Sequence, residues 1–289
     1  MPEPSSSALP ETRTLTIGAR EVAYCELGDP RGRPVLAAHG SPGSRFQLLP
    51  LHRAASAAGV RIIAPDRPGF GRTSPEPRRG FDTGGADAVA LMDALGLDRV
   101  TALGFSGGAG YSLALAIAQP ERIAGVVLAC GMIPGAPRAA LHGRIPIVST
   151  LYRVTRVAPR LATMMLEGRG PFRTTRAANL GAWPESDRAV MADPAVQELI
   201  APDAGEGMRQ GARAAVDDLR GYSRSIPLGQ VRQEVHLVHG TADANVPIGV
   251  ARWARTQLPH ATLREVAGQG HYFAVTHPGL VTEALITAG

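Results

Sequence analysis

Short apolar and β-branched runs alternate along the chain with longer stretches whose apolar residues recur at helical spacing. This rhythm predicts an α/β fold, a mainly parallel central sheet flanked by helices on both faces. Strands are expected at Arg13 to Ile17, Glu21 to Glu26, Pro34 to Ala38, Val60 to Ala64, Arg99 to Ala102, Ile123 to Ala129, Val235 to His239 and Thr262 to Val266. The first two meet at Gly18-Ala19, a turn that would join them as an antiparallel edge. Helices are expected from about Phe46 to Ala58, over Tyr111 to Ala118, near Val250 to Leu258 and from about Pro278 to Thr287. One more is expected from Asp82 to Leu95, with Asp82 as N-cap and Gly96 as the stop.

From about Pro134 to Pro227 the texture changes. No strand run occurs there, Pro and Gly interrupt the pattern, and amphipathic pieces such as Leu151 to Leu166 and Pro194 to Leu199 stand out. The stretch reads as a helical insertion over the C-terminal edge of the sheet. The expected organisation is a disordered arm over 1–11, one core domain formed by 12–133 and 228–289, and an inserted helical cap over 134–227.

Composition narrows the class. Of 289 residues, 44% are hydrophobic and 19% charged, which suits a globular chain and excludes a mostly disordered one. Aromatic residues are only 4%, so the core must be built mainly from Ala, Val, Leu and Ile. The net charge of +5 could suggest a nucleic-acid partner, but every basic residue is Arg, and the arginines form neither a block nor an alternation with aromatics. No nucleic-acid partner is therefore expected. Cys25 and Cys130 each lie in an apolar strand-like run and read as buried thiols, with no disulfide or metal-site spacing. Residues 1–11 show no basic segment followed by an apolar one, and no stretch has the length to span a bilayer. A cytoplasmic protein without membrane attachment, monomeric or homodimeric and acting on a small-molecule substrate, is expected.

The candidate chemistry centres on Gly104-Phe105-Ser106-Gly107-Gly108, between the run ending near Ala102 and the helix at Tyr111. A serine on such a strand-turn-helix corner must hold strained backbone angles, and the glycines beside it remove side chains that would clash with strand and helix. A hydroxyl is a poor nucleophile until a base takes its proton. His271, in Gly268-Gln269-Gly270-His271-Tyr272 after the last strand, is the histidine best placed to do so. An acid must hold that imidazole, and Asp243 follows the penultimate strand in Gly240-Thr241-Ala242-Asp243-Ala244, whereas Cys130-Gly131-Met132 after the preceding strand offers none. The oxyanion of a tetrahedral intermediate needs backbone donors; the N–H groups of Gly107 and of Ser41, in His39-Gly40-Ser41-Pro42-Gly43, are expected to supply them.

These motifs resemble those of the α/β-hydrolase family, in the family's chain order: His39 to Gly43, the Asp66 to Ser74 loop, the Ser106 elbow, the Asp243 loop and His271. The resemblance covers the chain from about residue 13 onward, except the insertion. It implies Ser106 as nucleophile, Asp243 as acid, His271 as base, and no metal or organic cofactor. Similar dehalogenases and epoxide hydrolases carry aspartate at the elbow, so Ser106 disfavours those chemistries. Proline iminopeptidases of the HGGPG type have a second glycine where Ser41 stands, which leaves that reading open but weak. The expected activity is hydrolysis of an ester, thioester or lactone through an acyl-serine, with C–C bond hydrolysis of a diketone-like compound or a non-catalytic binding role as alternatives. The insertion matches the family's lid in position, and Phe105, Leu151, Met164, Met165 and Trp183 are the expected substrate-pocket residues.

Overall fold

The inner strands are made mainly of apolar residues that pack on a pleated surface and leave water, while the edge strands, Arg13–Ile17 and Ala261–Val266, have no fully buried position. β5 (Val100–Phe105) is buried at all six positions, as a continuous apolar run covered on both faces must be. It lies near the middle of an eight-stranded sheet of order β1-β2-β4-β3-β5-β6-β7-β8. The other strands are β1 (Arg13–Ile17), β2 (Arg20–Gly28), β3 (Arg33–Ala38), β4 (Val60–Pro65), β6 (Ile123–Ala129), β7 (Val235–Gly240) and β8 (Ala261–Val266). The β1–β2 and β2–β4 pairs are antiparallel, and every later pair is parallel. The computed structural model describes residues 9–76, 80–173 and 180–289, with the side chains of 82–84 and 180 outside that description. Residues 1–8 of the expected arm, and the capping side chain expected of Asp82, lie outside the described residues.

Each face of the sheet is covered by helices. α2 (Phe81–Ala94), α3 (Ala109–Ala118) and a later helix, Ile248–Gln257, close one face through Leu91, Met92, Leu113, Ala116, Val250 and Ala254. α1 (His52–Ala57) and the last helix, Pro278–Thr287, close the other through Ala55, Val281 and Leu285. Aliphatic side chains make up most of these helix faces, as the low aromatic content requires.

The expected helix from Phe46 starts only at His52, after a 3-10 turn at Leu49–Leu51. Pro50 stands in that first turn, where a missing N–H costs nothing, whereas further inside a helix it would remove a hydrogen bond and crowd the preceding turn. Upstream, Arg45 gives its N–H and its guanidinium to the Asp66 carboxylate, both at 2.6 Å, so that segment is committed to tertiary contacts instead.

Between β6 and β7 stand α4 (Pro146–Val157), α5 (Pro159–Leu166), α6 (Glu185–Ala192), α7 (Pro194–Gly207) and α8 (Arg213–Gly221), with no strand among the described residues. The amphipathic stretch from Leu151 to Leu166 is two helices, because Pro159 forces Ala158 out of the α region, to φ −140° and ψ 67°. Among the described residues no helix is long and apolar enough to cross a membrane.

Candidate active site

The site begins at the C-terminal end of β5. Ser106 has φ +50°, a left-handed conformation that costs an L-residue energy and is sustained only when its surroundings fix it. The surroundings are tight: a Cβ on Gly104 would stand 2.7 Å from Ala109 Cα, and one on Gly108 would stand 1.8 Å from the Ala38 carbonyl oxygen. Strand, elbow and α3 can therefore pack only with glycine at both places.

Two loops from the same sheet edge meet the serine. Ser106 Oγ lies 3.0 Å from His271 Nε2, and His271 Nδ1 lies 2.8 Å from Asp243 Oδ2. With Nδ1 protonated, the ring donates to Asp243 and accepts from Ser106. The other Asp243 oxygen accepts the N–H groups of Asn245 (2.9 Å) and Val246 (2.8 Å), which fixes the carboxylate plane. His239 adds a contact of 3.3 Å to Oδ2. Burial opposes the charge on Asp243, but His271 and His239 overrule it and hold the carboxyl below the usual range. For His271, burial favours the neutral ring, while the charge and hydrogen bond of Asp243, with Asp187 behind them, raise its pKa above the ordinary imidazole value.

The turn at Ser41 lies beside the elbow. A Cβ placed on Gly107 would come within 3.0 Å of Ser41 N, and one on Gly40 would come within 3.1 Å of Ser106 Cβ. Among the described residues the Ser41 N–H finds no protein acceptor. The turn is held from beneath by a buried ion pair, Arg67 Nη1 to Asp218 Oδ2 at 2.6 Å. Arg67 also donates to the carbonyl oxygens of His39 (2.9 Å) and Gly40 (2.7 Å) and to Ser41 Oγ (2.8 Å). Asp218 accepts from Tyr111 Oη at 2.6 Å and from the Ser41 hydroxyl. Tyr222 Oη donates to the Gly107 carbonyl.

A cavity of about 390 Å³ opens onto these groups, lined by Ser41, Gly107, Ser106 and His271 on one side and by insertion residues on the other. Of the expected pocket residues, Phe105, Leu151 and Trp183 line it; Met164 and Met165 do not. Ala162 marks the inward face of α5, Leu166 one turn later lines the cavity, and Met164 points the opposite way and is 38% exposed. Met165 stands between these faces, partly buried.

Sequence reasoning missed four polar groups around the site: Arg67, Asp187, Asp203 and Asp218. Asp203 lines the cavity, where burial pushes its carboxyl up to about 6 against the hydrogen bonds it accepts from Ser44 and Gln47. Asp187 accepts the N–H groups of His271 and Tyr272. The three acids sit on insertion helices far from their partners in sequence, so no local pattern could have indicated them. Cys130, Asp243 and His271 each bring a ligand-type atom within 4.8 Å of the others. Binding of a metal there would have to break the His271–Asp243 bond, and burial pushes the Cys130 thiol well above its ordinary pKa, which keeps it protonated and a poor ligand.

A serine on a strand-to-helix elbow, with His and Asp on the loops after the last two parallel strands, defines the class: an α/β-hydrolase fold. A sequence model of the Alpha/beta hydrolase family matches residues 35–284, and the chain belongs to that family. Among curated relatives, a Caulobacter vibrioides protein named for a provisional carbamate hydrolase activity is 27% identical over 285 residues, covering 95% of this chain and 98% of its own. The 2-hydroxymuconate semialdehyde hydrolase of Pseudomonas putida is 27% identical over 258 residues, covering 85% of this chain and 83% of its own. Among solved structures, a bromoperoxidase from Bacillus anthracis superposes with a TM-score of 0.71 at 23% identity, over 96% of this chain and 99% of that one, a likeness of fold.

Proposed function

We propose that the protein is a serine hydrolase that cleaves a carboxylic ester, thioester or lactone through an acyl-serine intermediate. The observation that carries this reading is the continuous relay from Ser106 Oγ through His271 to Asp243, at 3.0 and 2.8 Å, at the floor of the cavity. As Oγ attacks the carbonyl carbon, His271 Nε2 takes its proton, and the buried Asp243 carboxylate stabilises the resulting imidazolium. The carbonyl oxygen becomes an anion received by the N–H groups of Gly107 and Ser41, two dipoles fixed before the reaction and so requiring no reorganisation during it. His271 then protonates the leaving alcohol or thiol. It next activates a water that hydrolyses the acyl-enzyme, which restores Ser106. Every proton transfer in these steps passes through His271, so the proposed chemistry calls for no metal or organic cofactor. The insertion acts as a cap, its apolar residues Leu151, Trp183 and Ile200 selecting the substrate on the side away from the sheet.

The test is turnover on a panel of activated esters, thioesters and lactones, with Ser106→Ala as the paired control. Hydrolysis of at least one class, lost in the variant, is expected; a fully active Ser106→Ala enzyme contradicts the reading. A second reading, C–C bond hydrolysis of a diketone-like compound, is favoured by the likeness, over 85% of this chain, to the 2-hydroxymuconate semialdehyde hydrolase. Cleavage of vinylogous diketones in preference to esters on the same panel would select it.

A further inference from the structure

One helix of the insertion reaches the catalytic loop directly. Asp187, in the first turn of α6, is 1% exposed and spreads its carboxylate over two successive main-chain amides. Oδ2 accepts the His271 N–H and Oδ1 accepts the Tyr272 N–H, each at 3.0 Å. A second, independent feature fits this contact. A Cβ on Gly270 would stand 2.3 Å from the Asp187 carboxyl carbon and from each of its oxygens, so the loop admits the carboxylate only because residue 270 has no side chain. No arginine pairs with Asp187 among the described residues, and burial pushes its carboxyl up while the two amides and His271 pull it down.

Resting on the proposed function, we infer that Asp187 is a positioning residue for the His271 base, supplied by the insertion. An isolated buried carboxylate is costly unless its hydrogen bonds and a nearby cation compensate it. The two amides supply the hydrogen bonds; the cation appears when His271 takes the proton of Ser106. Asp187 thus fixes the main chain from which the imidazole projects and adds a second negative charge, after Asp243, that favours the imidazolium. The base is complete only when the insertion is seated on the core, so the insertion takes part in the chemistry as well as in substrate selection.

The groups facing the imidazole are Asp243, with His239 behind it, then Ser106, Asp187, Arg144, Cys130 and Tyr272. Asp243 and Asp187 raise the ring's pKa, and Arg144 lowers it. Asp187→Asn removes one charge and turns one acceptor into a donor that faces an N–H. Its expected effects are a kcat/KM lower by about ten- to a hundredfold, carried by kcat, and a lower apparent pKa for the base in the kcat/KM–pH profile. Gly270→Ala, which leaves every ionisable group in place but obstructs the carboxylate, should reproduce the kcat loss. Ser186→Ala, a neighbour on the same helix whose buried hydroxyl has no hydrogen-bond partner among the described residues, should change neither quantity. A folded Asp187→Asn enzyme with wild-type kcat and an unshifted profile would overturn the inference. Loss of activity together with loss of fold, read by circular dichroism, would reduce Asp187 to a structural role and equally contradict it. Inactivity of the wild-type chain on every ester class would instead count against the proposed function itself.

Discussion

At the scale of single residues, the proposed site divides into groups that react and groups that hold them. Ser106→Ala should lower hydrolysis by at least about 10³-fold while leaving thermal stability close to wild type, because only a hydroxyl at a cavity surface is removed. Ser106→Gly should be just as inactive but more stable than Ser106→Ala by about 1 kcal/mol, since glycine carries φ +50° without strain. Chemical denaturation of the two variants side by side measures this difference. Asp243→Asn should lose on the order of 10⁴ in turnover, as the Asn amide imposes the wrong imidazole tautomer. Ser41 separates main chain from side chain. Ser41→Ala keeps the N–H and should retain activity within about tenfold, while losing about 1–2 kcal/mol of stability with the hydrogen bonds to Arg67 and Asp218. Asp218→Ala strands the buried Arg67 guanidinium and should destabilise the fold by about 3–5 kcal/mol, read as a fall in the denaturant midpoint.

At the scale of elements, the parallel strands were legible because each is a short apolar run with turn residues at both ends. Ile123–Ala129 and Pro278–Thr287 begin and end where the residue pattern places them. What was not legible follows from tertiary demands. Phe46 and Gln47 have helix-compatible neighbours, yet Gln47 is drawn to Asp203 and Arg45 to Asp66, which delays α1. Met164 and Met165 of α5 read as pocket residues because an amphipathic pattern carries the helical period and not the phase. Only packing decides that Leu166 faces the cavity and Met164 faces outward. Substitutions at Leu151 and Trp183 should therefore shift the preference among acyl groups, whereas Met164→Gln should leave both kcat/KM and selectivity unchanged. Competition between a short and a long acyl ester, run for all three variants, checks this.

At the scale of the whole molecule, the sheet delivers the loops after β5, β7 and β8 to one edge, and a helical insertion from between β6 and β7 closes over it. The proposed trio of Ser106, His271 and Asp243 could be singled out because each member sits in a local motif at a strand end, and the structure brings the three within hydrogen-bond distance; the supporting acids were not legible, because Asp187, Asp203 and Asp218 meet their partners only where the insertion meets the core. The assembled site has a definite pH response. A base acts when neutral, and the His271 pKa is raised above the ordinary imidazole value, so the imidazolium persists to higher pH than in a free ring. Activity should therefore be lost as pH falls through a midpoint above about 6.5, the ordinary value for histidine. A kcat/KM–pH profile that stays flat from below that value upward would assign the base elsewhere.

The proposed mechanism requires that Ser106 become covalently acylated with His271 as its base. Intact-mass analysis after exposure to a fluorophosphonate, followed by peptide mapping, tests it most directly. One adduct per chain is expected, located on Ser106, absent from Ser106→Ala and formed far more slowly by His271→Ala. An adduct on another residue, or none on a chain that still hydrolyses its substrate, would contradict it.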